Sequence, residues 1–346
     1  MIPPDPPPPD PIEPSPGPPA EVPPPARPGA GTFTIEGRAA PALFVVGWLA
    51  TLIGFVAFLV ALLAGGSAVA AVILVLGLIV LSVGLVAGAG SQAIERRASG
   101  ARAYAGPSPL LVFAASIPLT IVASAAIGLG LSALGISVES PVAAVAAVSI
   151  QALIYAGLIR LLVVDAGALS WAEMGLRRFD RRALGELAGG ASLAVPVIFA
   201  TALLAAVITR FVSVTPESPL PPTGTIPGFL LNLLAGAVIA PIGEELFFRG
   251  FAMTAWLPDI GERRALIRVA LFFAAAHVLT IAGSTADQAV ALAFVAFVSR
   301  IPVAVALGWL FLQRRSIWAP IGLHATFNGI LLTIAEIAAR GGFVQS

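Results

Sequence analysis

The chain has 346 residues, of which 58% are hydrophobic and only 11% charged, and its mean hydropathy is +0.98. Soluble domains carry roughly 25% charged residues, so a soluble globular protein is excluded, and a formal net charge of +1 argues against a nucleic-acid partner. Cysteine is absent, which removes disulfides, thiolate metal sites, a cysteine nucleophile and prenylation of the chain itself.

The first segment, 1–38, is a tail whose first thirty positions hold fifteen of the thirty prolines. Such a composition has no apolar face to bury, so the tail is expected to be extended and disordered. It lacks the basic start and apolar centre of a signal peptide. From about residue 42 the sequence predicts an all-α, polytopic helical membrane protein with about nine transmembrane helices. The spans read 42–64, 68–90, 110–134, 142–164, 188–212, 229–252, 266–282, 288–312 and 317–338. Each is near the ~20 residues that cross ~30 Å of hydrocarbon. The first four form an N-terminal group, 39–165, and the other five a C-terminal core, 188–346. The second and third hydrophobic blocks are rich in Gly and Ala, which suits close helix packing in lipid.

Between the two groups lies a segment, 166–187, expected at the cytoplasmic interface. Ser170 and Glu173 stand at capping-box spacing and should start a helix. Trp171, Met174 and Phe179 would then oppose the arginines on a helix lying along the membrane surface; a plain basic loop that enforces topology is the other reading. Arginine, the only basic residue apart from two histidines, alternates with the spans. Arg96, Arg97, Arg102, the 177–182 group, Arg263, Arg264, Arg314 and Arg315 fall on the same side as the tail. Arg210 and Arg340 lie towards the other. Cytoplasmic loops are enriched in basic residues, so the N-terminus is expected in the cytoplasm of a multi-pass cell-membrane protein. The alternation requires an odd number of spans.

A few polar residues fall inside these spans, where a charge costs about 2.5–3.5 kcal/mol even on insertion scales. They are Glu244, Glu245, Arg249, His277, Arg300, His324 and Asn328, and they include both histidines of the chain. Glu245 and Arg249 share a helix face and can pair, while Glu244 is rotated by about 100°. His324 and Asn328 are also four apart, as are Phe273 and His277, so the phenyl ring can shield the imidazole. Counting from the arginine-bearing ends puts Glu244, His277 and His324 at similar depths of roughly 10–17 Å. Arg300 is expected to pair with a buried acid such as Glu336, or else to line a cavity. The cluster admits hydrolysis with a carboxylate as general base, a metal site with Glu and His ligands, a proton relay in a transporter or a structural network. A zinc protease motif H-E-x-x-H is absent, no span carries an aspartate near its centre, and no internal repeat of the transporter kind is evident.

The stretch from Ala240 to Gly250 (APIGEELFFRG) resembles the E-E-x-x-x-R motif of the CAAX prenyl endopeptidase and bacteriocin-processing family, also called CPBP or Abi. Phe273–His277 resembles its F-x-x-x-H motif and His324–Asn328 its H-x-x-x-N motif, in the same order and on separate helices. The resemblance covers about 229–335. It implies an all-helical intramembrane endopeptidase acting on a membrane-associated protein or peptide, in which Glu244 activates water and His277 helps position it. It assigns His324 and Asn328 to the oxyanion hole, with Glu245 and Arg249 organising the site. It implies no cofactor; zinc held by Glu244, His277 and His324 is the runner-up. The non-proteolytic alternative is a transporter, immunity or scaffold protein that uses the same polar cluster.

Overall fold

In a computed structural model the described residues are 34–100, 103–212, 214, 220–279 and 281–341; residues 1–33 of the Pro-rich tail lie outside them. The described chain is helical with no strands. Helices α1 (Pro41–Leu63), α2 (Ala68–Ser99), α3 (Pro109–Ala133) and α4 (Pro141–Ile159, continued by a π turn Arg160–Val164) make the N-terminal group. Helices α5 (Arg181–Ala191) and α6 (Ala194–Thr209) follow end to end. The next crossing, Ile226–Ile260, is composite: α7 (Ile226–Leu233), a π segment Leu234–Ile239, α8 (Ala240–Glu245), a second π segment Leu246–Met253 and α9 (Thr254–Ile260). Helices α10 (Glu262–Ala276), α11 (Ala286–Arg314) and α12 (Trp318–Arg340) complete the fold.

Eight helices among the described residues are long and apolar enough to span a bilayer, and the protein is a multi-pass membrane protein. The expected seventh span, 266–282, differs. Helix α10 has 15 residues and ends at Ala276, so it covers only about 22 Å at 1.5 Å per residue. Arg315, just past α11, pairs with Glu262 at the start of α10, and α10 packs along α11. The two therefore run antiparallel. Since α11 has 29 residues, the chain climbs its length by α10 and the connection after it. An intrahelical break is tolerated at membrane depth only where protein lines it, and this break falls at His277.

The interfacial segment also differs from expectation. Ser170 and Glu173 do form the reciprocal capping bonds: the Ser170 N–H and hydroxyl reach Glu173 Oε2 at 2.7 Å, and the Glu173 N–H reaches Ser170 Oγ at 3.2 Å. The Ser170 backbone and hydroxyl donors hold the exposed Glu173 carboxyl below its ordinary range. Yet residues 171–175 close into a turn and no helix grows from it. The helix starts at Arg181, where the Asp180 side chain accepts the Ala183 N–H at 2.9 Å.

Packing explains where the core lies. Helix α1 meets α2 through Gly47, Gly54, Gly77 and Gly84, at each of which an added Cβ would collide with the opposite backbone or side chain; the small-residue pattern thus serves close approach, as expected. The outward faces of α1 are apolar and exposed, for example Leu52, Ile53 and Val56, as lipid requires. The dense core sits instead around the second π segment, all eight of whose residues are buried. Phe247 and Phe248 pack against Tyr155 of α4, Phe113 of α3 and Phe272 of α10, with ring centroids 4.6–6.4 Å apart. At the other side α5 lies directly on α12, where Gly190 abuts the Ala319 carbonyl and Gly322 the Leu187 carbonyl, leaving no room for a side chain at either glycine.

Candidate active site

Glu245 is fully buried and central. Its Oε1 accepts from Arg249 Nη1 at 2.9 Å and from His324 Nδ1 at 2.7 Å. Arg249, also fully buried, gives Nη2 to the Ala304 carbonyl of α11 at 3.2 Å and lies 4.3 Å over the Phe273 ring. Phe273 in turn faces the His277 ring at 4.3 Å and the His324 ring at 5.8 Å. One phenyl ring thus contacts a guanidinium and two imidazoles, and one carboxylate oxygen ties the composite crossing to α12.

Glu244, one residue earlier, points elsewhere, as its 100° rotation demands. Its Oε2 is buried without a hydrogen bond. It stands 3.5 Å from His277 Nε2 and 3.8 Å from His324 Nε2. The opposite nitrogen of each ring is committed: His277 Nδ1 donates to the Phe273 carbonyl at 2.8 Å, and His324 Nδ1 donates to Glu245. A carbonyl can only accept, so His277 Nδ1 is the donor. Its Nε2 then faces Glu244. The bond has a structural cause. Where α10 stops, the His277 N–H turns to Ala275 O, so the Phe273 carbonyl loses its helical donor and the ring of the same residue supplies one.

The sequence-predicted residues divide accordingly. Glu244, Glu245, Arg249, His277 and His324 come together. Asn328 does not reach the carboxylates by any hydrogen bond among the described residues; its Nδ2 donates to the Gly236 carbonyl in the first π segment at 2.8 Å. The expected Arg300–Glu336 pair does not form. Glu336 takes Arg340 Nε at 2.9 Å and the Thr223 N–H at 2.8 Å, because a residue one turn away on its own helix wins over one on a neighbour. Arg300 Nη1 bonds the Ala296 carbonyl of its own helix at 2.8 Å. Sequence reasoning overlooked Pro241, Phe273 as a hub and the two π segments; the proline inside a helical run was the available signal. Among the described residues no group of three or more His, Asp or Glu side chains is arranged to hold a metal ion.

Residues 226–330 match the family described as type II CAAX prenyl endopeptidase Rce1-like. Over this range the chain is similar to that family, and the match supports an intramembrane protease core of the CPBP kind. The matched range takes in α7 to α11 and the motif-bearing half of α12, that is, every element that contributes to the carboxylate and imidazole cluster. Helices α1–α6 lie outside it. No curated protein and no solved structure matches the chain. A CAAX-type endopeptidase core in a multi-pass membrane protein implies a membrane-embedded protein or peptide substrate and a lipid environment.

Proposed function

We propose that the protein cleaves a peptide bond of a membrane-associated substrate with a water activated by Glu244. The observation that carries this reading is the buried, unpartnered Glu244 Oε2 facing two imidazole Nε2 atoms. Separations of 3.5 and 3.8 Å suit a shared third atom better than direct bonds. A water held by Glu244 and His277 gives one proton to the carboxylate as its oxygen attacks the scissile carbonyl carbon. The carbonyl π electrons move to oxygen, and the resulting oxyanion accepts hydrogen bonds from the second Asn328 amide N–H and from His324. Collapse breaks the C–N bond, and the proton held by Glu244 passes to the leaving amine. Glu245 and Arg249 hold His324 and the helix face in register.

The arginine-bearing ends are assigned to the cytoplasm on the charge rule, with the N-terminal tail on that side, and the mechanism calls for no resident metal. Purified protein in lipid nanodiscs, assayed on membrane-anchored peptides by mass spectrometry, tests the reading. Glu244→Gln keeps the shape and removes the base, so turnover should fall by about 10²-fold or more. A folded Glu244→Gln variant that cleaves like wild type would leave the carboxylate with no part in the chemistry.

A further inference from the structure

Why Asn328 bonds a backbone carbonyl instead of the carboxylates follows from the backbone around Pro241. In the first π segment the N–H of Ala240 bonds the carbonyl of Ala235, five residues back. One step on in the same register, the Gly236 carbonyl would take the N–H of residue 241. That residue is Pro241, which has no N–H. The α-helical alternative donor is Ala240, already committed to Ala235. The Gly236 carbonyl is therefore left without a backbone donor inside an apolar bundle, where an unsatisfied group is costly. Asn328 Nδ2 fills it at 2.8 Å from α12. A Cβ at Gly236 would meet the methyl ends of Leu220 and of Leu332 on α12.

We infer that Pro241 is a positioning residue for the site, acting through the Gly236 carbonyl on Asn328. The carbonyl can only accept, so the Asn328 amide nitrogen must face it. That removes the two-fold ambiguity of the amide and spends one of its two N–H groups. The other N–H is then held in a fixed direction for an oxyanion. Pro241 precedes Glu244 by three residues on the same short helix, so the proline that sets this clamp also sets the rotation of the helix that presents the carboxylate. The catalytic part of the inference rests on the proteolysis proposed above; the clamp itself does not.

Replacing Pro241 by Ala returns an N–H that can bond Gly236 and releases Asn328. A thermal-stability cycle reads the clamp without any activity. Asn328→Ala should lower Tm by several degrees in the native background, because it strands the carbonyl, and should have little effect beside Pro241→Ala, where residue 241 satisfies it. An equal loss of Tm in both backgrounds would overturn the clamp. The kinetic arm reads positioning. Pro241→Ala should lower kcat at least tenfold with KM nearly unchanged, and the double variant should be no slower than Asn328→Ala alone. An unchanged kcat in Pro241→Ala, or multiplicative losses in the double variant, would overturn the positioning role. Pro241→Ser supplies the same N–H, so the stability cycle and the loss of kcat should recur there, and their absence would overturn the role of the restored donor. If wild type cleaves no membrane-anchored peptide, the proposed function falls while the stability cycle still decides whether the clamp exists.

Discussion

Arg249 is tied on three sides, by the Glu245 carboxylate, the Ala304 carbonyl and the Phe273 ring. Removing it takes away all three at once and leaves Glu245 with His324 alone. Breaking a buried ion pair by deleting one partner costs about 3–5 kcal/mol. Arg249→Ala should therefore lose Tm and yield in detergent extraction before any kinetic effect can be measured, whereas Glu244→Gln should keep the wild-type Tm in scanning fluorimetry. A stable, inactive Arg249→Ala would instead mean that the arginine acts on the reaction and not on the fold. The i, i+4 spacing made the Glu245–Arg249 pair and the Phe273–His277 stack legible in the sequence, because the partners of each are one turn apart along a continuous helical stretch of backbone. The partner of Asn328 was not legible. It depends on which carbonyl a π register frees, and spacing rules built on 3.6 residues per turn are blind to that.

The same blindness operated at the level of elements. Hydropathy marked 266–282 as one stretch, since Val278, Leu279, Ile281 and Ala282 continue the apolar run. Nothing in hydropathy records that the helix ends at Ala276 and that the His277 ring then takes over the Phe273 carbonyl. Ser170 and Glu173 show the converse: the local capping bonds formed as the spacing predicts, but Gly175 takes the left-handed conformation at φ 76° and ends the turn there. The contact between α5 and α12 lies outside sequence reach, because it is a tertiary meeting of two glycines with two carbonyls. Its consequence is checkable. Gly322 lies two residues from His324 on α12, and Gly322→Val would force α12 away from the Leu187 carbonyl. Overpacking of this kind costs about 1–3 kcal/mol or more, so the variant should show a lowered Tm. An unaltered Tm would mean that α5 yields freely, as a helix merely resting on the surface would.

Across the whole molecule the positions of the arginines and the geometry of α10 make one joint statement about sidedness. Reporter fusions at residues 100, 220 and 346 should report cytoplasm, exterior and exterior. A cytoplasmic signal at 346 would show that α10 and its connection fail to complete a crossing, leaving the eight long helices to set the topology. The architecture was legible in outline because spanning length and charge asymmetry are properties of composition; the packing of its parts was not. Helix α1 packs on α2 and makes no comparable contact with another helix among the described residues. Both helices, Pro41–Leu63 and Ala68–Ser99, are long and apolar enough to cross, and two consecutive crossings return the chain to the side it started from. They therefore add an even number to the crossing count. Excising both as a unit leaves the facing of every later loop as it was, whereas losing α1 alone would turn the protease core inside out. The hairpin is thus parity-neutral: added or removed whole, it leaves each later helix crossing in the direction it already had.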